Sequence, residues 1–161
     1  IRRLPLDDFL ARAGAFLPHD EARAALAAIG PLVQERVRLL SEVGAMVDFL
    51  WMDEPPVDDA AWDKVMVRGK AAPEMLDAST AELTALEGWT ADGISAAVER
   101  AAITAGFTKP DGSPQMAKAP APVRVATTGR SVGPPLWKSL AALGRDRTLA
   151  RLAAARVRLA G

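Results

Sequence analysis

Helical spacing constrains this chain more than any other feature. From Val33 through Val37, Leu40, Val43 and Val47 to Leu50, apolar residues recur every three or four positions, which puts them on one face of an α-helix and on no face of a strand. The same spacing returns along nearly the whole sequence, and no alternating strand pattern competes with it. Asp7 or Asp8 is expected to cap a short helix through Phe16, and Asp20 to cap a helix that runs to about Ile29 and is broken by Gly30. Pro31 suits the first turn of the longest helix, which takes in Leu32 and ends near Trp51. Asp58 caps a helix through about Val67, APEMLDASTAELTALEG supplies another, and Thr90 caps one that stops at Gly106, a glycine suited to a left-handed C-terminus.

Beyond Gly106 the punctuation is denser. Thr108 to Ala121 holds too much Pro, Gly and polar residue for an element and reads as a hinge or connecting loop. Pro122 to Gly129 reads as a helical turn, with a brief strand through Val123 and Val125 as the alternative. A helix then starts at Pro134 or Pro135 and ends before Gly144, and a last one carries the stripe Leu149, Leu152, Ala153 and Val157. The expected fold class is all-α in two helical subdomains, residues 1–52 and 53–161.

The 161 residues are enough to bury a core without staples, and half of them are apolar. With no cysteine, disulfide frameworks, zinc knuckles and thiol catalysis are excluded, and a reducing, cytoplasmic setting fits. No apolar run approaches the roughly 20 residues of a membrane span. The single histidine, His19, stands at a helix entrance, where capping is the natural role, and cannot form a triad. Asp53, Glu54, Asp58, Asp59 and Asp63 miss the calcium-loop spacing and read as a solvated linker.

A net charge of zero conceals an asymmetry. Residues 1–117 carry 11 Lys and Arg against 19 Asp and Glu, whereas residues 118–161 carry nine against Asp146 alone. A basic module of this kind suits a polyanion partner through counterion release, and equally a solvated arginine face. Within it, PVRVATTGRSVGPPLW sets Arg124 and Arg130 around a rigid turn at the start of a helix, where free N–H groups and the dipole favour anions. Arginine's planar fork suits base edges and faces, which single-stranded RNA displays. The turn lacks the Gly-Lys-Ser/Thr ending of a nucleotide-cradling loop. Trp137 is either a stacking platform or a core residue.

The longer stretch PVRVATTGRSVGPPLWKSLAALGRDRTLARL resembles the C-terminal signature of bacterial glutamyl-tRNA synthetases, and the resemblance extends back through Trp89-Thr90 and PLVQERVRLLSEVGAMVDFLW to IRRLPLDDFL. It implies an all-α cage gripping the anticodon arm, in a C-terminal fragment of a parent that joins glutamate to tRNA with ATP and magnesium. The catalytic half, with its HIGH-like and KMSKS-like signatures, is absent, so the fragment itself is expected to lack catalysis, cofactor and metal, and to be monomeric. By position, the resemblance assigns Arg36 to the third anticodon base, cytosine for glutamate or guanine for glutamine, and Arg124 to the middle uridine. Pro134 and Leu136 pack around the first base, with Gly133 where some relatives have threonine. Arg130 joins this anticodon-binding set, and Glu99, beside Arg100, falls where some relatives place another anticodon-facing arginine. The partner is glutamate-accepting tRNA, with glutamine-accepting tRNA as a further possibility. The alternative is a helical protein-interaction scaffold whose basic last helix binds an acidic partner or the chain's own acidic linker.

Overall fold

The computed structural model describes residues 1–161 and is all-α, with only an isolated bridge between Thr108 and Pro114 outside the helices. Nine helices follow in order: α1 (Leu6–Gly14), α2 (Asp20–Gln34), α3 (Val43–Trp51), α4 (Asp59–Trp62), α5 (Ala72–Ala85), α6 (Ala91–Thr104), α7 (Ala121–Thr128), α8 (Leu136–Leu143) and α9 (Arg145–Ala160). The first three pack on one another, α5 lies against α6, α7 and α9, and α8 joins α6 and α9 to α2 and α3. Their buried apolar faces form one connected core from Phe9 to Ala155. None of the helices is long and apolar enough to cross a membrane.

Several helix starts follow the sequence signals. The Asp58 carboxylate accepts the Ala60 N–H at the head of α4, which passes into a single π-turn, Asp63–Val67, and the Thr90 hydroxyl accepts the Gly93 N–H at the head of α6. Gly106 and Gly129 adopt φ of +85° and +77° just past the ends of α6 and α7, the conformation glycine reaches without strain. At Gly129 an added Cβ would stand 2.2 Å from the Pro56 carbonyl oxygen, because the acidic linker crosses there and the Asp58 N–H donates to the Gly129 carbonyl.

Other expectations are corrected. The cap of α2 is His19, whose Nδ1 accepts the Ala22 N–H while its ring meets Trp51 edge-on; Asp20 instead pairs with Arg23. The first helix starts after Pro5 and stops at Gly14, short of Phe16. Gly30 does not end α2. The helix runs on to Gln34 with a kink at Ile29 (φ −127°, ψ 19°), because Pro31 lacks an N–H and its ring crowds the carbonyl four residues back. Gly30 is small for a packing reason: the Leu10 side chain lies 2.8 Å from where its Cβ would be.

The long helix through Trp51 is also broken. After Gln34 the chain tightens, with Arg36 and Val37 N–H groups both donating to the Val33 carbonyl, and Leu39 is extended (φ −120°, ψ 144°) before a 3-10 turn, Leu40–Glu42, leads into α3. The Glu42 carboxylate accepts the backbone N–H groups of Arg38 (2.8 Å) and Leu39 (3.2 Å), so a side chain takes donors that a continuous helix would have used. In α9 the buried residues are Thr148, Leu152 and Ala155; Ala153 is exposed and Val157 is 73% exposed. Of the two readings of Thr108 to Ala121, by contrast, the connecting loop holds, with Lys109 donating to Ser113, Gln115 donating to Phe107, and Ala119 fully buried.

Candidate nucleic-acid interface

The PVRVATTG segment folds as α7, and its threonines fasten it. Thr127 Oγ1 donates to the Val123 carbonyl, and Thr128 Oγ1 to the Arg124 carbonyl, so both hydroxyls are used inside the helix. This leaves Arg124 as the polar side chain α7 sends toward the following turn. Its Nη1 donates to the Pro134 carbonyl at 3.0 Å and would lie 3.2 Å from a Cβ on Gly133. The guanidinium therefore runs under the turn at the one place where a side chain is missing.

Arg124 also bounds an open groove of about 420 Å³, whose other walls include Ser131, Pro135, Leu136 and Trp137, with Met116 from the preceding loop; Gly133 and Pro134 stand behind this wall rather than in it. Pro135 precedes α8 and no side chain caps that helix, so its first N–H groups face outward. Trp137 is partly buried against the core and also lines the groove.

Arg36, in the break after α2, is exposed and close enough to Arg124 for the two charges to feel each other. Burial, and then the Arg36 charge, push Arg124 below the ordinary arginine value. None of the five ion pairs of the chain includes either residue. A half-buried guanidinium in the groove wall that also feels a second cation is an acceptor-seeking arrangement.

Arg130 is placed differently. It turns to α3, where it makes a two-point ion pair with Asp48, both contacts at 2.7 Å, and donates to the Ala45 carbonyl at 2.9 Å. The hydrogen bond to Asp48, opposed in part by burial, raises its pKa. Arg100 is likewise taken, by Glu82 at 2.7 Å, while Glu99 is exposed.

Most arginines of the basic tail have partners within the protein. Arg145 donates to carbonyls at the end of α5, Leu83 and Thr84, and to Glu87, and lies over the Trp89 ring. Arg147 donates to Leu50 (2.6 Å) and Met52 (3.1 Å), and Arg151 to Thr127 (2.7 Å) and Met52 (2.8 Å). Arg156 pairs with Asp77, and Arg158 covers the Trp62 ring at 3.9 Å. Burial and the neighbouring Arg147 push Arg151 down to about 10, which still leaves it a cation at neutral pH.

Sequence reasoning missed the walls that the Thr108–Ala121 loop gives the groove; a loop rich in Pro and Gly gives no spacing from which a wall can be read. No group of three or more His, Cys, Asp or Glu comes together as a metal would need. What the groove offers is guanidinium and amide donors with an apolar floor, chemistry for an anionic or base-bearing polymer rather than for a metal ion.

An all-α fold with an arginine in the wall of an open groove is compatible with a nucleic-acid-binding helical domain, and the class is given by the family: the model of the anticodon binding domain family matches residues 8–156, and the chain belongs to that family. Within it, the chain corresponds to the anticodon-binding region of glutamate–tRNA ligases. It is 43% identical over 171 residues to the glutamate–tRNA ligase of Salinispora tropica, covering 99% of this chain and 35% of that protein. Against the glutamate–tRNA ligase of Frankia casuarinae it is 44% identical over 169 residues, covering 100% of this chain and 34% of the relative. The chain thus spans about a third of the length of these curated relatives. The fold matches that of a glutamate tRNA ligase from Elizabethkingia meningosepticum, solved in complex with its amino acid, with TM-score 0.71 at 19% identity over 97% of this chain and 30% of that one.

Proposed function

We propose that this chain reads the anticodon for a cytoplasmic, monomeric glutamate–tRNA ligase. Arg36 faces the third anticodon base and Arg124 the middle one, while Gly133, Pro134 and Leu136 receive the first. Arg130 serves the same site indirectly, as the brace that fixes the turn to α3. The boundary between the two subdomains, 1–52 and 53–161, falls between the element bearing Arg36 and those bearing the groove, so the site is built across it. ATP and magnesium belong to the catalytic portion of such a ligase; the donors of this groove suit neither. The observation that carries the proposal is Arg124 in the wall of the Pro135–Leu136 groove, without a carboxylate partner and within reach of the Arg36 charge.

The test is binding of the purified chain to a glutamate-tRNA transcript and to copies with altered anticodons across a salt series. Affinity should fall with salt and fall further when the third base changes from C to G, and Arg36→Ala should erase that second difference. Equal affinity for every anticodon removes the base-reading role. The size of the C-to-G difference also tells whether the ligase serves glutamine-accepting tRNA.

A further inference from the structure

A second basic surface lies at the break after α2, two residues beyond Arg36 in the chain. Arg2, Arg3, Val37 and Arg38, with Ile1, bound an open groove of about 490 Å³ with no carboxylate in its walls. All three arginines are exposed, and none takes part in an ion pair. They contrast with Arg145, Arg147, Arg151, Arg156 and Arg158, each of which has a partner within the protein.

Their placement is built. Gln34, only 9% exposed, donates from Nε2 to the Ile1 carbonyl (3.0 Å) and the Leu4 carbonyl (2.8 Å), fastening the turn that displays Arg2 and Arg3 to the end of α2. On the other wall, Glu42 fixes the Arg38 backbone by accepting its N–H. That carboxylate accepts the Arg38 and Leu39 amides and forms no ion pair with a guanidinium, so it engages the main chain. Arg36 and Arg38 are two residues apart, at most about 7 Å along the chain.

We infer that the Arg2–Arg3–Arg38 groove is a seat for the phosphodiester backbone of the RNA whose bases reach Arg36 and Arg124. The guanidinium fork matches phosphate oxygens at two points, and three of the five residues that line the groove are arginines. The inference rests on the anticodon reading for the identity of the RNA, but its contribution is independent of sequence: grip here, readout at the neighbouring groove.

The experiment uses the whole chain with Ile1 acetylated, so that its α-ammonium is not the cation measured. Fluorescence anisotropy follows a glutamate-tRNA anticodon stem-loop and a copy with the anticodon replaced, from low to high salt. In the triple variant Arg2→Gln, Arg3→Gln, Arg38→Gln, affinity for both RNAs should fall by the same factor, tenfold or more. The slope of log affinity against log salt should flatten by roughly 2, about 0.7 for each phosphate left without its arginine. The ratio between the two RNAs should stay as in the parent chain, and the triple Arg→Lys variant should recover the slope. A triple Gln variant with unchanged slope and affinity, and an unchanged circular-dichroism spectrum, overturns the phosphate seat. A parent chain that binds decaglutamate but neither RNA also overturns it, in favour of an acidic protein partner. If the parent binds both RNAs equally while the Gln variant still loses slope, the base-reading proposal fails and the phosphate seat stands.

Discussion

Arg124 and Arg130 stand six residues apart in one sequence motif, yet their environments are opposite. Arg130 meets Asp48 at two points and is satisfied; Arg124 is half-buried, holds a single carbonyl of the turn and feels another arginine. A buried charge without a counterion lowers stability unless a ligand arrives. Arg124→Met is therefore expected to weaken anticodon-arm binding by roughly 1–3 kcal/mol, the scale of a good bidentate base contact. Its urea-unfolding free energy should move by no more than about 1 kcal/mol, since the missing hydrogen bond is offset by the removed repulsion. A titration with the stem-loop and an unfolding curve on the same sample check both. The sequence made the two arginines visible and the resemblance placed both at the site. It could not distinguish them, because the difference lies in Asp48, 82 residues away from Arg130 in sequence.

At the scale of elements, local chemistry was legible wherever the signal was a cap or a C-terminal glycine, as at Asp58, Thr90 and Gly106. It failed where a side chain outbid the helix for its own amides. Apolar spacing from Val33 to Leu50 persists through the break because it records burial, whereas the break itself is set by the Glu42 carboxylate. Those amides hold the folded pKa of Glu42 below its ordinary 4.5, so its contribution is fully present above 4.5 and is lost as pH falls through the folded value. The stability gap between the parent chain and Glu42→Gln should accordingly be constant near neutrality and narrow in acid, as pH-dependent thermal unfolding would show. Glycines give a second test. Gly129→Ala must accept positive φ and a Cβ 2.2 Å from the Pro56 oxygen, and is expected to cost more than about 2 kcal/mol. Gly106→Ala meets nothing within 4 Å, and should cost only about 1 kcal/mol for its left-handed backbone. Denaturant midpoints of the two variants should differ in that order.

Across the whole molecule, the charge asymmetry of the sequence is real but its meaning changes on folding. The acidic body supplies few of the partners; backbone carbonyls at the ends of α3, α5 and α7 supply most. Such acceptors have no signature in composition, so neither sequence reading of the basic tail, polyanion footprint or solvated arginine face, showed that most of its arginines act as staples. Replacing Arg147 and Arg151 together by alanine leaves the Leu50, Met52 and Thr127 carbonyls without these donors. The expected loss is about 2–4 kcal/mol, readable in urea unfolding, with RNA affinity per folded molecule unchanged. By contrast, the all-α class was legible, because helix periodicity and capping are local.

The same staples bear on the order of assembly. The carbonyls at the end of α3 receive their donors from residues 95 to 99 positions later, and pairings that distant carry a large loop-closure cost before they return any stabilisation. During synthesis, therefore, the first three helices emerge with an open end that only the last helix closes, and a ribosome stalled before Arg145 would hold a chain whose early half is complete in sequence and unfinished in structure.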